Sequence, residues 1–404
     1  MNKLLRHFSY SDWQKLSQGV KLPAMFVDLD QFEANVLALK KISDSTQKKL
    51  RLATKSLRVP YLIHHALKIG SSTYQGLMCF SVDEALALFG EGHKDLLVAY
   101  PTSSLDDLKK VLQIQTAGGR CVLAFDHSCH FSWAANAWSK ISSSKLDICL
   151  DCDASLKIFG LHLGVRRSSI LSAADFSKRL EQLSDYPNLK LTGLLHYDAQ
   201  IAGLPDRADE FILIQKIKEW IRKISILSVK KERLQFQKIL QDKSLTVEFI
   251  NGAGTGSIDS GVHDPLSEVT AGSGLLHSHL FDKYSNCHTF AAQFFLLPIT
   301  RFPSEQMVLC QSGGFISSGE TDKNKSPEIH LPKNLKVISS ENFGEVQTPF
   351  INNSEQKFNL GDPVICRPAK AGEVMERFNE VILVRAGKII GQAPTYRGLG
   401  FNFF

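Results

Sequence analysis

The stretch Leu50-Arg51-Leu52-Ala53-Thr54-Lys55 alternates apolar and polar side chains and ends on a lysine. Such period-two alternation reads as a strand, which puts Lys55 at its carboxyl end. A second strand pattern, Met25-Phe26-Val27-Asp28-Leu29-Asp30, precedes it, and a helical pattern over residues 31–43 joins the two. Strand, helix, strand is the repeating unit of a β/α barrel, whose chemistry gathers at the carboxyl ends of its strands. A lysine held there can lose solvation, lower its pKa and attack a carbonyl or hold a cofactor as a Schiff base. An arbitrary lysine is far more often a plain surface residue. The neighbours of Lys55 decide against that reading.

Strand and helix signals keep alternating as far as Tyr284. Candidate strands fall at 24–29, 50–54, 74–79, 95–99, 120–125, 146–152, 189–195 and 247–250, with helical patterns at 59–70, 81–90, 104–116 and 172–184. Eight strands separated by helices predict a TIM-type (β/α)8 barrel rather than an open sheet. The segment 206–241 exceeds an ordinary barrel helix and predicts an insertion or a second helix. Its most basic part, Lys216 to Ile224, repeats apolar residues at helical spacing and reads as a barrel helix with a solvated basic face. Beyond Tyr284 the pattern changes to strands and turns, including a hairpin at Val384-Arg385-Ala386-Gly387-Lys388-Ile389. The expected division is a segment 1–21, a barrel 22–284 and an antiparallel β domain 285–404. The polar stretch Ser317–Ser326 reads as a mobile loop.

Composition narrows the function classes. Charged residues make up 22% and hydrophobic ones 43% of 404 residues, as in an ordinary globular chain. A net charge of +6 suits an anionic small ligand. No face interleaves basic and aromatic residues as a nucleic-acid surface does. No window approaches ~18 uninterrupted apolar residues, so no membrane partner is expected. Of the cysteines, only Cys149 and Cys152 form a C-x-x-C, and a strand puts them on opposite faces, which suits neither zinc nor a redox pair. Reduced thiols and a cytoplasmic location are expected.

A glycine-rich turn, Asn251-Gly252-Ala253-Gly254-Thr255-Gly256-Ser257, follows the last candidate strand. Its glycines let backbone N–H groups approach an anion, and Thr255 and Ser257 add hydroxyl donors. Late barrel loops are the usual phosphate cradle of this architecture.

Leu22 to Asp30, followed by Leu52-Ala53-Thr54-Lys55-Ser56, resembles the opening of the fold-type III pyridoxal-phosphate (PLP) enzymes. That superfamily holds the alanine racemases and the D-threonine aldolase/D-serine dehydratase family. Asp95 to Pro101, Leu191 to Tyr197 and Asn251 to Ser257 fall in the family's order, and the likeness favours the aldolase/dehydratase branch. The resemblance implies that Lys55 carries PLP and that Asn251–Ser257 holds its phosphate. It further implies that Arg167 approaches the cofactor's phenolic oxygen, that Tyr197 lines its ring, and that the segment 1–21 packs on the β domain. A homodimer acting on a small amino acid is implied as well. Two departures stand out. The family's metal ligands correspond to Lys370 and Gly372, neither of which binds a metal, so a divalent metal held in the family's manner is not expected. Lys370, Glu373 and Glu376 are left as a contact to substrate, a rebuilt site or a plain charged loop. Thr270 stands where racemases put an arginine against the pyridine nitrogen, and the setting of Tyr396 does not match the racemase motif. The implied activity is therefore lyase chemistry on a 3-hydroxy amino acid of D configuration, either dehydration with deamination or retro-aldol cleavage. A racemase, and a non-catalytic PLP-homeostasis protein, remain the alternatives.

Overall fold

The computed structural model describes residues 7–158, 160–207, 212–319 and 323–403. Eight parallel strands close into a barrel: Lys49–Ala53, Tyr74–Cys79, Asp95–Val98, Arg120–Phe125, Leu146–Asp151, Leu189–His196, Phe249–Gly252 and Glu268–Ala271. They are barrel strands one to eight below. Leu97, Val122, Ala124, Cys149, Leu195 and Phe249 pack together inside it. Arg51 is buried in the same interior, its guanidinium 2.7 Å and 3.1 Å from the Glu268 carboxylate and 3.2 Å from Asp95. A charge this deep needs such partners. Gly76 makes the room: a Cβ there would lie 2.3 Å from Arg51 Nη1. The surrounding helices begin on their own caps. Ser81 and Ser104 accept from the N–H groups of Glu84 and Asp107, with acidic residues in both first turns.

The expected first barrel strand lies elsewhere. Ala24–Asp28 pairs antiparallel with Gln293–Ser304 and parallel with Glu380–Arg385, inside a separate nine-stranded sheet. Its Met25, Phe26 and Val27 are all fully buried. A strand covered on both faces shows the same continuous apolar run in either setting, so its pattern fits both. The barrel's eighth strand is instead Glu268–Ala271, whose Glu268 and Thr270 hide it from an apolar pattern; they are polar because Arg51 and Asn251 need partners inside the barrel.

Helix Tyr10–Ser17 lays Trp13 against Phe26 and Phe294 of the second sheet. The hairpin at the other end turns through Ala386 and Gly387, both at positive φ. Of the stretch Ser317–Ser326, residues 320–322 lie outside the described residues, while Ser317 and Ser326 are buried. Among the described residues, no helix is long and apolar enough to cross a membrane.

Residues 212–242 form one helix of 31 residues; 208–211 lie outside the description. Its inward face mixes charge with apolar side chains, Val229, Phe236 and Leu240 being buried beside the arginines, while Lys216 and Lys223 stay exposed as expected. Arg222, Ser225 and Arg233 point inward, whereas Leu213 and Leu227 are 70% and 68% exposed. Ion pairs set the rotation: Arg222 grips Asp259 at 3.0 Å, and Arg233 bonds Asp198 at 3.1 Å and also Asp264.

Candidate active site

The carboxyl ends of the barrel strands enclose a cavity of about 400 Å3. Lys55 enters it from a single helical turn, Thr54–Ser56, directly after barrel strand one. That turn is pinned from several sides. Thr54 Oγ1 donates to Met78 O at 2.9 Å, and Arg58 Nε donates to the Lys55 carbonyl at 3.1 Å. Gly372 packs over the same carbonyl so tightly that a Cβ would lie 1.9 Å from it. The Lys55 ammonium itself donates to the Tyr100 hydroxyl at 2.7 Å and lies 5.4 Å from that ring's centroid.

The glycine-rich turn follows barrel strand seven rather than strand eight, a shift forced by Glu268–Ala271 closing the barrel after it. Asn251, Ala253, Gly254 and Thr255 line the cavity; Gly252 and Ser257 do not. At Gly252 a Cβ would meet Arg233 Nη2 at 2.6 Å, so this residue faces the long helix. Ser257 is buried, its hydroxyl donating to Asp198 at 2.7 Å and accepting from Gly254 N–H at 3.0 Å, which braces the turn from behind. Opposite runs Gly272-Ser273, which no sequence signal singled out. Gly274 N–H donates to Thr255 Oγ1 at 3.1 Å, and the Ser273 and Ser56 hydroxyls meet at 2.9 Å. The lysine's own turn thus touches the glycine cradle. Two helical turns begin here, and the first N–H groups of such turns have no partner within them.

Arg167 lines the cavity wall, close enough to Asp151 and Tyr197 to favour their charged forms. Tyr197 packs its ring across from Gly254 while 43% of the residue stays exposed to the cavity and solvent. Asp151 ends barrel strand five inside the cavity. Burial, together with neighbouring Asp126 and Asp153, pushes its carboxyl up to about 7 against the pull of Arg167. Asn251 sits on the floor, donating to Glu268 at 2.9 Å and to Thr270 at 2.8 Å. Sequence reasoning passed over Tyr100 and Asp151, although both stand at or just past a strand's carboxyl end.

Four residues singled out from the sequence do not line the cavity. Tyr396 is buried and donates to Glu84 at 2.8 Å, so its hydroxyl is committed there. Lys370 donates to the Ser318 carbonyl and hydroxyl at 2.7 Å and 2.9 Å, while Glu373 accepts from Ser318 N–H at 2.8 Å. Glu376 pairs with Arg58 at 2.8 Å. Among the described residues no three His, Cys, Asp or Glu side chains are grouped to hold a metal.

A curated D-threonine aldolase of Arthrobacter sp is 23% identical over 264 residues, 63% of this chain; the match spans 60% of that relative's length. Among solved structures, the D-threonine aldolase of Filomicrobium marinum superposes with a TM-score of 0.77 at 19% identity, covering 95% of this chain and 97% of that one. The D-threo-3-hydroxyaspartate dehydratase of Delftia sp. HT23 gives 0.73 at 15%, covering 93% and 98%. An alanine racemase of Bacillus anthracis gives 0.62 at 15%, covering 93% and 98%. The family model for the alanine racemase N-terminal domain matches residues 27–231, about half of the chain. This protein belongs to that family, the fold-type III pyridoxal-phosphate enzymes.

Proposed function

We propose that the protein is a PLP-dependent lyase acting on a small 3-hydroxy amino acid of D configuration, by dehydration with deamination or by retro-aldol cleavage. The residues fit the cofactor. An amine stands at one end of the cavity, and at the other lie glycines that no larger residue could replace. A Cβ at Gly256 would lie 2.2 Å from Ala202 O, and one at Gly272 2.6 Å from Ala53 O. Lys55 would carry PLP, the Asn251–Ser257 turn with Gly272-Ser273 its phosphate, and Arg167 and Tyr197 its ring. Bound there, PLP supplies an electron sink for charge left at Cα. The Lys55 amine would take or return the proton at Cα.

One observation carries the choice of lyase over racemase. Racemisation needs an acid–base group on each face of Cα. Here the Lys55 amine and the Tyr100 hydroxyl are hydrogen-bonded to each other, and the hydroxyl of Tyr396 is bound to Glu84. The second sheet counts against a single-domain PLP carrier. Homodimerisation and a cytoplasmic location belong to the same proposal, and the free thiols of all eight cysteines support a reducing compartment.

The test is the visible absorption of purified protein before and after borohydride, with Lys55→Ala alongside, followed by a panel of 3-hydroxy D-amino acids. A band that borohydride removes and the variant lacks is expected, with keto acid or aldehyde released. Absence of the band after adding PLP overturns the proposal; interconversion of enantiomers without either product replaces it with a racemase.

A further inference from the structure

The chemistry just proposed requires a proton at the substrate's 3-hydroxyl as well as at Cα. Dehydration must protonate a departing hydroxide, and retro-aldol cleavage must take the hydroxyl's proton away. At the two positions to which the family resemblance assigns a metal stand Lys370, tied to Ser318, and Gly372, pressed on the Lys55 carbonyl. A side chain of the cavity can do this work. Tyr100 is the group placed for it: it lines the cavity, and its hydroxyl is 2.7 Å from the atom that serves Cα. It lies just past barrel strand three, beside Pro101, whose fixed φ stiffens the chain there. Asp151, the competing acid, has no hydrogen bond to Lys55 among the described residues.

We infer that Tyr100 is a catalytic acid–base group that relays one proton between Lys55 and the substrate's 3-hydroxyl. The inference rests on the lyase reading. In dehydration, Lys55 Nζ takes the Cα proton, and the electron pair of that bond becomes the Cα–Cβ double bond as the C–O bond breaks. Tyr100 gives its proton to the leaving oxygen and recovers one from Lys55 along the existing hydrogen bond, so water departs and both side chains are restored. In retro-aldol cleavage the relay runs backwards. Tyr100 accepts the hydroxyl proton as it passes its own to Lys55; the Cα–Cβ bond breaks to leave an aldehyde, and Lys55 returns the proton to Cα. Neither direction consumes an oxidant or a second acid.

Tyr100→Phe keeps the ring and removes only the relay. The borohydride-sensitive band of the variant reports fold and cofactor loading apart from turnover, and it is expected to persist. Turnover of the 3-hydroxy amino acid should fall at least ~100-fold, the usual worth of a positioned acid–base group. Two other reactions need Lys55 but no proton at a hydroxyl: deuterium exchange at Cα of D-alanine, and chloride loss from 3-chloro-D-alanine. Each should fall less than tenfold. Should the Phe variant not load cofactor, Tyr100→His, which restores a proton carrier, is expected to turn over the hydroxy substrate better than Tyr100→Gln. A uniform loss across all three substrates would reduce Tyr100 to a support for Lys55, and hydroxy-substrate turnover within tenfold of wild type would remove it from the mechanism. A wild-type protein that loads no cofactor and turns over none of the three overturns the lyase reading itself, whatever the variant does.

Discussion

Asp151 lies two residues beyond Cys149, which packs inside the barrel, and so shares its side of the strand. Its carboxyl, pushed up to about 7 by burial and by Asp126 and Asp153, gives a signed prediction. A carboxyl whose folded-state pKa exceeds its unfolded value contributes stability below the unfolded value, near 4, and loses it as pH rises through 7. In cofactor-free protein, Asp151→Asn should therefore raise the melting temperature most at pH 8, by less at pH 5, and hardly at all at pH 4. An equal change at all three pH values would show that the charge at 151 carries no cost. Lys55 was legible from sequence because a strand pattern ends on it. Tyr100 also stands just past a strand's end, but only barrel closure brings its hydroxyl to an amine 45 residues earlier.

The helix Ile212–Asp242 shows how far periodicity carries and where it stops. The sequence pattern predicts an insertion or a second helix over 206–241, whereas 212–242 is one continuous helix, and its rotation is set by Arg222 and Arg233, whose acidic partners come from other parts of the chain. Arg233→Ala leaves Asp198 and Asp264 buried without their cation and should cost about 3–5 kcal/mol in denaturant unfolding. Leu227→Gln, on the exposed side, should stay within about 0.5 kcal/mol. Similar costs for the two would mean the helix faces the other way. The glycine turn could be placed at the cavity only because it follows a late barrel strand, since three glycines in six residues are by themselves more often a plain turn. Its partner Gly272-Ser273 was missed along with the short polar strand before it. Gly256→Ala drives a Cβ into Ala202 O and should weaken PLP binding at least tenfold by spectral titration, while Lys55 remains reactive to borohydride trapping at saturating cofactor.

The barrel and the second sheet are joined by more than a linker. Repeated strand–helix alternation made the barrel readable, whereas the exchange of its expected first strand for Glu268–Ala271 depends on pairing between distant segments. Ala24–Asp28 sits between Gln293–Ser304 and Glu380–Arg385, so a chain cut after Tyr284 loses both neighbours of a strand whose Met25, Phe26 and Val27 are fully buried. Exposed edges of that kind drive aggregation. Such a fragment is expected in the pellet after expression, and a soluble one that binds PLP would contradict the pairing. The same arrangement sets an order of events during synthesis. Strands made between residues 49 and 271 can close while the earliest strand waits for the last to emerge. Gly372, which packs on the Lys55 carbonyl, and Glu376, which pairs with Arg58, also come late, so the newborn chain completes the surroundings of Lys55 only once nearly all of it has been translated.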